Sequence, residues 1–358
     1  MNITNNGPDN NHKNHFKPVS WLKNSHLMTV IPVIWPRSYQ HLKKIGEDCY
    51  FKINEETTLL ARCHFVSKDP STPTLIIIHG LEGSSNSRYV LGLSAKALSA
   101  NMNVIRLNLR NCGDTLHLTP TFYNAGQSGD IISVVSHLYE NLNFKNIFLL
   151  GYSLGGNIAL KAGAEMAMLN KTNGYLKGIG AISPSIDLSA SIKALNSGIN
   201  KMYELRFLLS LKYKVIQKNR FFPGKFNVSV LPKIKDIRAF DDYFTAPDGG
   251  FADSTDYYQK ASSLSILDKI TIPTIIVTAK DDPIIPYSSF LSNQLKNPAI
   301  TLLAPDYGGH GGFIHNKIEH NPEIPTFDRF WAENRILEFC LEEYKKSLAS
   351  VKNHQTRA

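Results

Sequence analysis

Three short stretches of the chain carry residue types that perform acyl-transfer chemistry when they meet, and each follows an apolar run. In "GYSLGGN", Ser153 stands between Gly151 and Gly155 with one residue on either side, the spacing of a serine forced outward on a tight strand-to-helix turn. A serine hydroxyl is a poor nucleophile at neutral pH and needs a base. His310 in "PDYGGHGGF" is the candidate, because glycines on both sides let its loop bring the imidazole against another loop. A carboxylate must then hold the imidazole in the correct tautomer and stabilise its charged form. Asp282 of "AKDDPIIP" suits that role, since Pro283 fixes a turn there, with Asp281 as the rival. Two backbone N–H groups must face the developing oxyanion. Leu154, directly after the serine, supplies one by position, and Leu81 of "HGLEGSS" is the natural source of the second.

The Gly-x-Ser-x-Gly spacing alone is cheap, since a chain of this size holds roughly a tenth of a match by chance. The weight rests on order and placement. Short apolar runs alternate with helical patterns, the rhythm of βαβ units and a parallel sheet. "CYFKI" and "LLARCHFV" read as an antiparallel pair; "TLIIIHG", "NVIRLNL", "NIFLLGYS", "GIGAISP", "TIIVTAKDDP" and "AITLLAP" read as the further strands. Helices are expected near 88–100, 128–142, from 154, and near 328–347. Each candidate group ends a strand, where an open α/β sheet collects its reactive residues. The chain order Ser, Asp, His is the one this architecture uses.

Between about 185 and 262 the series breaks. Helical stretches such as "NKMYELRFLLSLKYKVIQKN" and a loop-like stretch, "FDDYFTAPDGGFADSTDYY", intervene, which reads as a cap inserted over one end of the sheet. The expected organisation is a disordered tail over 1–15, rich in Asn, followed by one α/β domain over 16–350 that carries the cap.

The chain has 358 residues and a net charge of +9. The charge is local. From Pro184 to Lys235 ten Lys and Arg face Asp187 and Glu204, a net of +8, while 236–260 carries −4. With an acidic neighbour and no zinc-finger, RNP or homeodomain signature, nucleic acid is not an expected partner. The four cysteines are isolated, which fits unpaired thiols in a reducing cytoplasm. No signal peptide and no run of eighteen apolar residues is read, so a cytoplasmic location is expected. His310, His315 and His320 are spaced five apart, unlike a helical zinc pair, and no phosphate-cradling glycine motif occurs. Neither metal nor organic cofactor is expected.

These stretches resemble the α/β-hydrolase superfamily, and more closely its YheT-like branch of bacterial esterase-type hydrolases and their eukaryotic relatives. "SWLKNSHLMTVIP", "LNLRNCGD", "FDDYFTAPDGGFADSTDYYQKAS" and "GGHGGF" carry that narrower likeness over residues 16–345. It implies an α/β-hydrolase fold, a Ser153–Asp282–His310 triad and a small-molecule or lipid-like ester as substrate. The chain departs from the branch's pattern at Met28, where glutamine is expected, at Asn111, where glycine is expected, and in "FYNAG" at 122–126. The function expected is carboxylic ester hydrolysis through an acyl-enzyme. Alternatives are an interfacial lipase or lysophospholipase on monoacyl lipids and a hydrolase-fold binding protein without activity. Lys and Arg interleave with Leu, Phe, Tyr and Met over 201–222, compatible with peripheral membrane contact through the cap. A solvated basic face over an acyl pocket is the plainer reading of the same stretch.

Overall fold

A computed structural model describes residues 15–355 apart from positions 38, 40, 41, 43, 172 and 173. The expected tail lies, but for His15, outside the described residues. Eight strands form one sheet: β1 (Glu47–Lys52), β2 (Thr58–His64), β3 (Thr74–Ile78), β4 (Asn103–Leu107), β5 (Ile147–Tyr152), β6 (Leu176–Ile182), β7 (Thr274–Val277) and β8 (Ile300–Leu303). Their spatial order is β1-β2-β4-β3-β5-β6-β7-β8. The β1–β2 and β2–β4 pairs are antiparallel and the others parallel. All five residues of β3, "TLIII", are buried, as a strand covered on both faces requires.

The cover on one face is α3 (Ser128–Glu140) and α4 (Leu154–Met168), whose Ile131, Val135, Ile158 and Leu160 fill one core. The other face is covered by α2 (Arg88–Ser99) and α10 (Trp331–Gln355), whose Val90, Leu93, Trp331 and Ile336 fill a second. An N-terminal helix, α1 (Ser25–Ile34), is capped by Asn24, which accepts from the N–H groups of His26 and Leu27. Small residues let α4 approach the sheet: a Cβ on Gly163 would sit 2.1 Å from Ile179 Cδ1.

Between β6 and β7 the chain runs through α5 (Leu188–Leu195), α6 (Lys201–Phe221), α7 (Ile237–Phe240), a π-helical turn (Asp241–Thr245), α8 (Ala246–Asp248) and α9 (Ser254–Ala261). A separate small core joins α6, α7 and the π-helical turn, with Leu208, Val215, Phe240 and Phe244 against Phe122 and Phe226, while α5 and α9 pack on the main core. The stretch from Phe240 to Tyr258, read from its sequence as a loop, is therefore mostly helical. Asp253 caps α9 by accepting from Asp256 N–H, and Asp236, just before the stretch, caps α7 by accepting from Ala239 N–H, each at 2.8 Å. Pro247 follows the π-helical turn in a helical run that is continuous from Ile237 to Asp248.

Candidate active site

Ser153 follows β5 and opens α4 with φ 51° and ψ −119°, a backbone region that costs a non-glycine residue about 1–3 kcal/mol. The surroundings impose it. Ser153 N–H donates to Ile182 O at 2.9 Å, and its carbonyl accepts from Asn157 N–H at 3.1 Å. The turn leaves no room for side chains on either side, since a Cβ on Gly151 would stand 2.1 Å from Gly155 O and one on Gly155 2.4 Å from His79 O. Both glycines of the motif are thus dictated by close backbone approach.

His310 and Asp282 meet. The His310 ring Nδ1 lies 2.9 Å from Asp282 Oδ2, and the Asp282 side chain is fully shielded from solvent. Its other oxygen accepts from the N–H groups of Ile284 and Ile285 at 2.8 and 2.9 Å. A carboxylate only accepts, so the neutral ring carries its proton on Nδ1 and presents Nε2 as a lone pair. Asp281 turns elsewhere: its Oδ1 accepts from Gly309 N–H at 2.9 Å, and burial pushes its carboxyl up to about 6. It shapes the histidine loop without touching the ring. That loop is further pinned by His310 N–H donating to Thr29 Oγ1 of α1 at 2.9 Å and by Gly311 N–H donating to Ser183 Oγ at 3.1 Å. Gly309 and Gly311 adopt φ of +55° and +70°, which glycine takes without strain. Ser153 is bonded to Ile182, and Ser183 to the histidine loop, so the serine and histidine turns converge on the tip of β6.

The loop after β3 passes beside the serine, with a Cβ on Gly80 calculated 3.2 Å from Ser153 Cβ. Leu109 N–H donates to His79 Nε2 at 3.1 Å, so the proton is on Nδ1, 2.8 Å from Gly80 O. Burial lowers His79 to about 4, which keeps it a neutral brace. Gly80 N–H donates to Tyr89 OH at 3.0 Å. Glu82, at φ 55°, donates its N–H to Tyr123 OH at 3.0 Å, while its carboxylate accepts from Tyr123 OH at 2.7 Å, from Lys214 Nζ at 2.5 Å and from Ser210 Oγ. Although burial opposes it, the Lys214 ammonium and these donors hold the Glu82 carboxyl below its ordinary value. Helix α6 is thereby tied to the loop that carries Leu81.

Ser153, Leu81 and Leu154 border one pocket that opens to solvent and encloses about 730 Å³ with its mouth. Its walls are mainly apolar: Leu188, Ile192 and Leu195 from α5, Phe207 and Leu211 from α6, and Ile284 and Ile285 after Asp282. Asp241 brings a carboxyl to the pocket. It accepts from Tyr258 OH at 2.7 Å, and burial pushes its carboxyl up to about 7. Among the described residues no group of three or more His, Cys, Asp or Glu is placed to hold a metal ion.

Two departures from the branch's sequence pattern have a physical account. Asn111 adopts φ 63°, a conformation that asparagine tolerates better than most residues. Its side chain donates to Thr121 O at 2.6 Å and accepts from Lys218 Nζ. Met28 Sδ accepts from Ile314 N–H at 3.3 Å, beside the histidine loop. Sequence reasoning missed Glu82, Lys214, Tyr123 and Asp241. The lysine at 214 looks like one more charge on a solvated face until the helix is placed.

The fold and the strand-end residues define an α/β hydrolase, and the chain belongs to that family. Residues 73–172 match the family profile described as alpha/beta hydrolase fold. Over 90% of this chain and 91% of its relative, it is 28% identical to the "Putative esterase YheT" of Escherichia coli (strain K12). It is 30% identical to the "Putative esterase slr0264" of Synechocystis sp., covering 77% of this chain and 79% of that one. The "Monoacylglycerol lipase" of Saccharomyces cerevisiae is 28% identical over 70% of this chain, which spans 57% of the yeast protein. Among solved structures, the Pyrococcus furiosus esterase Pf2001 aligns with 87% of this chain and 95% of its own at a TM-score of 0.55 and 16% identity, a likeness of fold. The chain is a hydrolase of esterase or lipase type.

Proposed function

We propose that the chain hydrolyses carboxylic esters through an acyl-enzyme formed on Ser153. His310 Nε2 removes the hydroxyl proton as Ser153 Oγ attacks the ester carbonyl, and returns it to the leaving alcohol; water then releases the acid by the same route. Asp282 holds the ring through Nδ1 and stabilises the imidazolium. The N–H groups of Leu81 and Leu154 take the oxyanion. The observation that carries this reading is the 2.9 Å hydrogen bond between His310 and a fully shielded Asp282. The left-handed backbone of Ser153 at the head of α4 supports it. We take residues 185–262 as the cap whose inner surface forms the acyl pocket.

A second reading gives the substrate as a monoacyl lipid cleaved at an interface. The apolar pocket walls favour an aliphatic acyl group, and one relative is named a monoacylglycerol lipase. Peripheral membrane contact through the cap belongs with this reading. The test is labelling by a fluorophosphonate and turnover of p-nitrophenyl esters of graded chain length. Ser153→Ala should abolish both, and a variant that keeps either would sink the assignment.

A further inference from the structure

Helix α6 is apolar on two sides: Leu208, Leu211 and Val215 are buried with its few inward charges, and a second apolar row faces outward. Its buried side carries charges that are all engaged: Glu204 accepts from Ile237 N–H at 3.1 Å, Lys214 pairs with Glu82, and Lys218 Nζ donates to Asn111 Oδ1 and Thr119 O. Its outward side is a stripe of Met202, Leu205, Leu209, Tyr213 and Ile216, exposed by 71, 56, 58, 63 and 45%. Their spacing of three or four residues puts them on one face. An amphipathic surface helix normally keeps its outer side polar. Single exposed apolar residues need no explanation, but a continuous large patch marks a face that something covers.

The patch does not end at α6. His26 Nδ1 of α1 lies 3.1 Å from Tyr203 OH, with the two rings stacked, so the helices adjoin. Leu27, Val30 and Ile34 are also exposed at one-face spacing on α1, and Trp21 is 57% exposed and stacked on Trp35. The same two helices reach the candidate site from their inner sides: Phe207 and Leu211 of α6 line the pocket, and Thr29 of α1 holds the His310 loop.

Charge selects the occupant. Lys23, just before α1, and Lys201, Arg206 and Arg220 of α6 are exposed, whereas the one acidic residue of α6, Glu204, is buried. A second copy docked two-fold on this face would bring like charges together, while an anionic lipid surface takes both the apolar stripe and its cationic flanks. Tryptophan suits the boundary between headgroups and acyl chains. No helix among the described residues is long and apolar enough to cross a membrane, so contact lies in the interface plane. We propose that the α1–α6 face seats the protein on an anionic lipid surface beside the pocket. The gain in access for a lipid ester rests on the proposed hydrolysis; the docking itself does not.

Sedimentation of the full chain with phosphatidylcholine vesicles, with and without phosphatidylglycerol, tests this. Binding should need phosphatidylglycerol. Leu205→Gln with Leu209→Gln should weaken it by about tenfold or more, and Lys201→Gln with Arg206→Gln by about fivefold per charge. Turnover of a short soluble ester should stay unchanged in both variants. Binding that is absent, or indifferent to phosphatidylglycerol, overturns the proposal. So does a wild-type dimer in analytical ultracentrifugation that the double leucine variant dissolves, because the face would then join two copies. Ser153→Ala should bind vesicles as wild type does. Vesicle binding by a wild-type protein without esterase activity would leave the docking standing and remove only the ester reading.

Discussion

Replacing Asp282 by asparagine discriminates the proposed triad more sharply than any deletion, because the local hydrogen bonds dictate how the amide must sit. Asp282 Oδ1 accepts two backbone N–H groups, from Ile284 and Ile285. The asparagine must place its carbonyl oxygen there, since an NH2 group would leave two buried donors facing a third. Its NH2 then points at His310 Nδ1, where Oδ2 stood 2.9 Å away. A donor against Nδ1 forces the neutral ring to carry its proton on Nε2, and such a ring cannot accept the proton of Ser153. The same tautomer error costs serine proteases about 10⁴ in kcat, equivalent to about 5.5 kcal/mol of transition-state stabilisation. Asp282→Asn should lose about 10⁴-fold in kcat on a p-nitrophenyl ester, with KM nearly unchanged and circular dichroism like the wild type. Asp281→Asn keeps an oxygen for Gly309 N–H and should stay within about tenfold of wild type. If the Asp281 variant loses activity and the Asp282 variant keeps it, the assignment is reversed and the tautomer argument fails.

Three further outcomes follow from buried contacts. Lys214→Met leaves Glu82 buried in the loop after β3 without its cation and should cost about 3–5 kcal/mol in urea unfolding; adding Glu82→Gln should recover at least about 1 kcal/mol, and strict additivity would refute the coupling. Gly155→Ala puts a methyl 2.4 Å from His79 O and 2.5 Å from Ile78 O, so stability should fall by about 1–3 kcal/mol or more, measured by the same unfolding, with ester turnover falling alongside. Asp241 holds its proton to about pH 7 in the folded chain but releases it near 4 when unfolded. Between those values the folded state binds more protons, so this group lowers stability as pH rises. Asp241→Asn removes that term. Its stability relative to wild type should climb from pH 4 to pH 7 in pH-resolved denaturation, and parallel curves would count against the burial of that carboxyl.

Much of the architecture was legible because its signals are local. Runs such as "TLIII" and "NIFLL" end in glycine or turn residues, and the period of the intervening segments is helical, so sheet, flanking helices and the strand-end positions of Ser153, Asp282 and His310 could be placed from the sequence. The stretch from Phe240 to Tyr258 misled, since aspartate, proline and glycine serve turns and helix termini alike; which role each takes depends on whether the next segment finds a core, here Phe122 and Phe226.

What the sequence by itself determined is the set of chemical groups and the strand ends that carry them, since both follow from residue type and short-range periodicity. Pro283 favoured Asp282 over Asp281 in the sequence, but only the tertiary structure decided which carboxylate faces His310, because that depends on what lies 2.9 Å from each. It alone decided the direction of α6. Composition cannot tell a lysine that pairs inward with Glu82 from one that meets solvent, nor a leucine in a core from one left outside. That distinction arises when distant segments pack and one side of the helix becomes the interior.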